Sequence, residues 1–82
     1  MRIDKFLNSV NITKRRAVAQ DMLKNGVVFL NKTVAKQSKD VKIGDIIEIK
    51  YLNGDSQKWK ILEIPKLKTT PKNEQDKYVS IC

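Results

Sequence analysis

Along the first ten residues the apolar side chains recur at Ile3, Phe6, Leu7 and Val10. That spacing of i, i+3, i+4 and i+7 lays one stripe along a short helix. Arg2, Lys5, Asn8 and Ser9 fall off the stripe. Asn11–Thr13 reads as a tight connection, with Thr13 as the N-cap of a second helix running to about Asn25. The apolar face of this helix is Val18, Ala19, Met22 and Leu23, while Gln20, Asp21 and Lys24 face water. Gly26 stands where a left-handed C-terminal cap is expected, because glycine reaches that conformation without a Cβ clash.

Past Gly26 the period falls to two. The run "VVFL" followed by "NKTVAK" reads as a strand, a turn at Asn31-Lys32 and a second short strand. In "VKIGDIIEIKYL", Gly44-Asp45 makes a turn, after which Ile47, Ile49 and Tyr51 alternate with Ile46, Glu48 and Lys50. "NGDS" turns the chain again, "KWKILEI" returns as a strand, and Pro65 closes it. Residues 1–64 thus read as one domain and 65–82 as a basic polar tail, from which Tyr78, Val79 and Ile81 are placed to dock back. The expected class is α+β: a two-helix layer packed on a small antiparallel sheet of four or five strands, with Phe6 and Phe29 in the core.

At 82 residues the chain is long enough for a single modest core. Its 17 Lys+Arg against 9 Asp+Glu give a formal net charge of +8, which points to a polyanionic partner, nucleic acid before membrane surface. Residues 1–50 hold 11 Lys+Arg and 5 Asp+Glu, whereas residues 51–82 hold 6 and 4, so the excess belongs to the helix pair and first strands. With no histidine and a single cysteine at Cys82, the chain lacks the commonest general base and any cysteine-based disulfide or zinc site. No enzyme activity, metal or cofactor is expected. No apolar run reaches bilayer-spanning length, so the expected location is the cytoplasm. A monomer is expected.

One feature breaks a local rule. Lys14, Arg15 and Arg16 crowd the expected first turn of the second helix, where the helix dipole already places positive potential. Bases there are unfavourable by about 0.3–1 kcal/mol each unless an anion arrives from outside. A phosphodiester backbone supplies such anions, and arginine can grip one phosphate through two hydrogen bonds. A second cluster, Lys36-Gln37-Ser38-Lys39, precedes the "VKIGD" turn. Exposed aromatics for base stacking are scarce, so recognition of shape and backbone in folded RNA fits better than base-by-base reading. The alternative is a DNA-binding regulator using the helix pair as a helix-turn-helix, but Asp21 on the exposed face is unhelpful in a DNA groove.

The order "RIDKFL", "KRRAVA", "NGVVFLNKTVAKQSKDVKIGD" resembles the RNA-binding module named after small-subunit ribosomal protein S-four, over about residues 1–50. The resemblance implies a two-helix layer on a small twisted sheet, with structured RNA bound across the helix pair. Among stand-alone members it is similar to the small RNA-binding factors of bacterial ribosome-associated quality control and to the related fifteen-kilodalton heat-shock proteins. These imply binding of the large ribosomal subunit while it holds peptidyl-tRNA, with ribosomal RNA, tRNA and a quality-control tailing factor as partners. Carried over by position, the implied RNA contacts are Arg2 and Lys5; Thr13, Lys14, Arg15 and Arg16; Asn31 and Lys32; and Lys36, Ser38 and Lys39. Asp4 is expected to be structural, neutralising a neighbouring base or capping the first helix. Three positions depart from the family pattern: Asn11 replaces a common arginine, Lys32 the turn glycine, and Ile43 a proline.

Overall fold

The computed structural model describes residues 1–65 and 74–81. Helices α1 (Ile3–Ser9) and α2 (Arg16–Lys24) come first, followed by strands β1 (Val28–Leu30), β2 (Thr33–Val34), β3 (Ile46–Lys50) and β4 (Ser56–Ile61). A single helical turn, α3 (Gln75–Tyr78), then leads into β5 (Val79–Ile81). The strands form one antiparallel sheet in the order β2-β1-β3-β4-β5. This is the α+β arrangement that the two periodicities predict.

The α1 stripe is the centre of the core. Ile3, Phe6, Leu7 and Val10 are fully buried and share one cluster with Val28, Ile47, Ile49 and Ile61 from the inner sheet face. Each such side chain contributes roughly 1.5–3 kcal/mol on burial, which fixes the helix layer to one side of the sheet. Strand parity follows: Val28, Leu30, Ile47, Ile49, Trp59 and Ile61 point in. Phe29, expected in the core, points the other way and is half-buried, with the Lys50 ammonium 4.8 Å from its ring centroid.

Both helices end in the same way. The Asn11 and Ile12 N–H groups donate to Asn8 O (3.1 Å) and Leu7 O (3.0 Å), and Gly26 and Val27 repeat the pattern on Leu23 (3.2 Å) and Met22 (3.3 Å). These are paired Schellman bonds around a left-handed residue. Gly26 supplies it at φ 72°, as expected, and Asn11 supplies it at φ 64°. Asparagine tolerates that region better than arginine does, so Asn11 suits the position it occupies.

The expected start of α2 needs correction. Thr13 is not the N-cap: its N–H donates to Leu7 O at 3.1 Å, which draws it into the end of α1. Its side chain is buried, and its hydroxyl finds no partner among the described residues. The helix begins at Arg16, and its N-cap, Arg15, is extended at φ −135° with no side-chain cap. Lys14 therefore lies outside the helix. Two side chains of α2 also depart from expectation. Val18 is 44% exposed, because the inward arc of so short a helix is filled by Ala19 and Leu23. Gln20 turns inward to a polar partner described below.

The β1–β2 turn has positive φ at both central residues, Asn31 (52°) and Lys32 (72°), the pattern of a type I′ hairpin. The side chain of Asn31 links this turn to the next one. Its Nδ2 donates to Asp45 Oδ1 (3.1 Å), while its Oδ1 accepts the Ile46 N–H (3.0 Å). At the other end of the chain, β5 pairs with β4 through Ile61↔Val79, and Gln75 Nε2 donates to the Val10 carbonyl at the end of α1 (2.7 Å). Cys82 lies outside the described residues.

Candidate nucleic-acid interface

The start of α1 is fastened to the loop that follows β2. Ile3 N–H donates to Lys39 O (2.7 Å), Val41 N–H donates to Met1 O (3.0 Å), and Arg2 bridges Asp40 in antiparallel fashion. The Lys39 N–H in turn donates to Lys36 O (3.0 Å), closing the 36–39 turn. Backbone pairing alone therefore brings Arg2 beside Lys36, Ser38 and Lys39, more than thirty positions away.

Asp4 joins this edge to α2. Its side chain is fully buried, in the first turn of α1. Oδ1 accepts the Lys5 N–H at 2.8 Å and lies 3.7 Å from Arg2 Nε. Oδ2 accepts Gln20 Nε2 at 3.2 Å and both Nε and Nη2 of Arg16 at 3.4 Å. Burial pushes the Asp4 carboxyl pKa up. The Gln20 amide, the Lys5 N–H and then the Arg16 and Arg2 charges outweigh that effect and hold it below its ordinary value. Asp4 is thus an ionised carboxylate at neutral pH, a structural neutraliser as the sequence suggests.

The Arg16 geometry has a chemical consequence. Its guanidinium meets Asp4 with one edge, through Nε and one terminal nitrogen, and Arg16 remains 46% exposed at the side chain. A guanidinium has five N–H donors in a planar fork, so the adjoining Nη1–Nη2 end keeps donors with which it could grip a phosphate. Arg2 is held similarly, between Asp4 and the Gln37 carbonyl (3.4 Å), with its side chain 50% exposed. Gln37 closes the ring by donating from Nε2 to Gln20 O at 3.4 Å. Two arginines are therefore aimed by a buried anion and two amides.

The other sequence-derived candidates divide into groups. Lys5, Lys14, Arg15, Lys36 and Lys39 are exposed and form no ion pair among the described residues. Asn31, Lys36, Ser38 and Lys39 line one groove of about 410 Å³ between the hairpin and the 36–39 loop. Lys14 borders a separate depression with Asn11, Ile12 and Gln75. Thr13 is interior, and the Asn31 amide is occupied within the fold. Lys32 lines a depression with Ile46, Glu48 and Lys58, whose strand positions belong to the outer side of the sheet. Sequence reasoning missed Gln20 and Gln37. The signal for Gln20 was available, since it stands four residues after Arg16 and shares its helix face. Among the described residues no His/Cys/Asp/Glu cluster suits a metal ion, and no helix is long and apolar enough to cross a membrane.

The sequence profile of the S4 domain, the S-four module, matches residues 1–47, the segment that builds this interface. The chain belongs to the S4 domain family. It is 49% identical over 80 residues to the RQC P-site tRNA stabilizing factor of Helicobacter pylori strain J99, covering 98% of this chain and 94% of that protein. The factor of the same name from Bacillus subtilis is 36% identical over 75 residues, covering 92% and 83%. Among solved structures, the trimeric heat shock protein 15 of Vibrio cholerae superposes with a TM-score of 0.88 at 28% identity, covering this whole chain and 81% of that one. The solution structure of the hypothetical protein HP1423 gives 0.85 at 48% identity, covering 100% and 96%. Similarity to the quality-control and heat-shock members of this S4 family therefore extends along nearly the whole chain.

Proposed function

We propose that this protein is a non-enzymatic RNA-binding factor of ribosome-associated quality control. In this reading it acts in the cytoplasm on the large ribosomal subunit, contacting ribosomal RNA and the P-site peptidyl-tRNA, alongside a tailing factor. The observation that carries the proposal is the pair of half-exposed arginines, Arg2 and Arg16, pinned on one buried carboxylate with donors left open. Lys5, Lys14, Arg15, Lys36, Ser38 and Lys39 extend the phosphate-facing surface around them. Thr13 and Asn31 act through the backbone they hold, and Lys32 serves a different face. The names of the relatives at 49% and 36% identity support the ribosomal setting. The helix-turn-helix alternative is weakened because Gln20, a potential base reader on α2, is turned onto Asp4.

The test is crosslinking of the tagged protein in cells, with sequencing of the attached RNA. Large-subunit rRNA together with tRNA, lost in Arg16→Ala, is the expected result. Each charge-assisted hydrogen bond lost to a phosphate costs roughly 1.5–3 kcal/mol net of hydration, so losing even one of them lowers affinity by at least about tenfold. Recovery of the same RNA at the same yield from Arg16→Ala would refute the site, and enrichment of chromosomal DNA would favour the regulator.

A further inference from the structure

The helix side of the sheet accounts for Arg2, Arg16 and the 36–39 loop, but it leaves Lys32, Lys50, Lys58 and Lys60 without a role. Register places the last three together. Glu48↔Lys58, Ile46↔Lys60 and Lys50↔Ser56 are directly paired, and all alternate with the buried Ile47, Ile49, Trp59 and Ile61. The lysines therefore stand on the outer face of the sheet, opposite the helix layer. Lys58 and Lys60, two apart on one strand, are separated by roughly 6.4–6.8 Å along it, close to the step between successive phosphates of a nucleic-acid strand.

Lys32 joins this group from the hairpin turn, lining a depression of about 390 Å³ with Asn31, Ile46, Glu48 and Lys58. It does so at φ 72°, a conformation that glycine, asparagine or aspartate would occupy at lower cost. A strained backbone carrying an outward cation is the kind of local conflict that marks a binding surface. Among the described outward strand positions Glu48 is the one acid, and the side chains of Lys32, Lys58 and Lys60 form no ion pair or hydrogen bond within the described residues.

We propose that the outer sheet face, Lys32, Lys50, Lys58 and Lys60, is a second binding surface for the phosphodiester backbone of RNA, back to back with the helix-side interface. It rests on the RNA-binding reading above and adds to it that one molecule holds two RNA segments on opposite faces. The recognition is of backbone and not base. Lysine ammonium groups act as point charges, and the aromatic ring on this face, Phe29, already has Lys50 over it, which leaves that side of the ring closed to a stacking base.

The test is bridging. A short biotinylated RNA hairpin is fixed on beads, the full-length protein is added, and capture of a second, fluorescent hairpin is measured. The wild type should retain the second hairpin. Lys58→Gln with Lys60→Gln should still bind the beads but lose second-hairpin capture by at least about tenfold, because two phosphate contacts are removed. Both lysines are exposed, so the double variant should keep the wild-type circular dichroism melt. Equal capture by wild type and variant overturns the second face. So does a wild type that binds the bead-bound hairpin but captures none, an outcome that leaves the helix-side interface standing. A wild type that fails to bind even the first hairpin overturns both.

Discussion

Replacing Asp4 with asparagine keeps the shape of the side chain and removes its charge. The carboxylate accepts from Lys5 N–H, Gln20 Nε2 and two nitrogens of Arg16, and its own surface is entirely buried. An amide offers one acceptor oxygen and one NH2. If the oxygen faces Lys5, the NH2 confronts the Gln20 and Arg16 donors; if it is flipped, the Lys5 N–H loses its partner. Either orientation leaves a donor without an acceptor, at about 1–3 kcal/mol. The full cost of breaking a buried ion pair, roughly 3–5 kcal/mol, does not apply, because Arg2 and Arg16 are half-exposed and can turn into water. A loss near 2 kcal/mol is expected, which for a domain of this size lowers Tm by about 8–16 °C.

The pH dependence separates this account from a generic packing defect. The folded Asp4 pKa lies below its ordinary value of 3.8, so its contribution to stability is complete above the ordinary value and is lost as pH falls through the lowered one. Wild type and Asp4→Asn should thus differ most at neutral pH and converge as the wild-type carboxylate protonates. Thermal melts followed by circular dichroism from pH 7 down to acid measure this directly. A Tm gap that stays constant over the whole range, or no gap at neutral pH, would refute the role given to Asp4.

Two further substitutions probe the scaffold. Thr13→Val removes a buried hydroxyl that has no partner among the described residues, so the melt should stay within about 1 kcal/mol of wild type or rise, and hairpin affinity in fluorescence anisotropy should be unchanged. Lys32→Gly relieves a positive φ at the second turn position and should stabilise by about 1 kcal/mol in urea unfolding, while reducing second-hairpin capture in the bridging assay. A destabilised Lys32→Gly variant would contradict the strain assigned to that residue.

Much of the fold was legible because the two periodicities are clean. The α1 stripe and the alternation through Ile46–Lys50 each admit one orientation, and Gly26 ends α2 where its backbone freedom is needed. Errors arose where a residue had two local uses. Thr13 suits an N-cap by type, but closing α1 at Asn11 uses its backbone first and carries its side chain inward. Phe29 suits a core by type, yet strand parity set by Val28 and Leu30 turns it outward. Gln20 reads as solvent-facing because its partner, Asp4, is sixteen positions earlier, and the one local sign of the contact is the four-residue spacing from Arg16, which meets the same carboxylate. For the interface, the arginine cluster could be read from sequence, whereas the pairing of Ile3 with Lys39 that brings its halves together could not.

The same contacts explain how α2 tolerates three consecutive cations at its start. Lys14 lies before the helix, and Arg15 is its extended N-cap, so only Arg16 stands within the first turn. Arg16 is the cation that Asp4 meets. The residue most exposed to the unfavourable helix potential therefore receives an internal anion, while Lys14 and Arg15 form no ion pair among the described residues. Had the basic run served stability or solubility alone, an acid at the N-cap would relieve the dipole more directly than a buried carboxylate contributed by another helix. Placing the acid beneath the arginine leaves the helix start positive outward and fixes the guanidinium in orientation. That combination suits an external anion better than water, and in the proposed RNA contact it would lower the conformational entropy lost on gripping a phosphate.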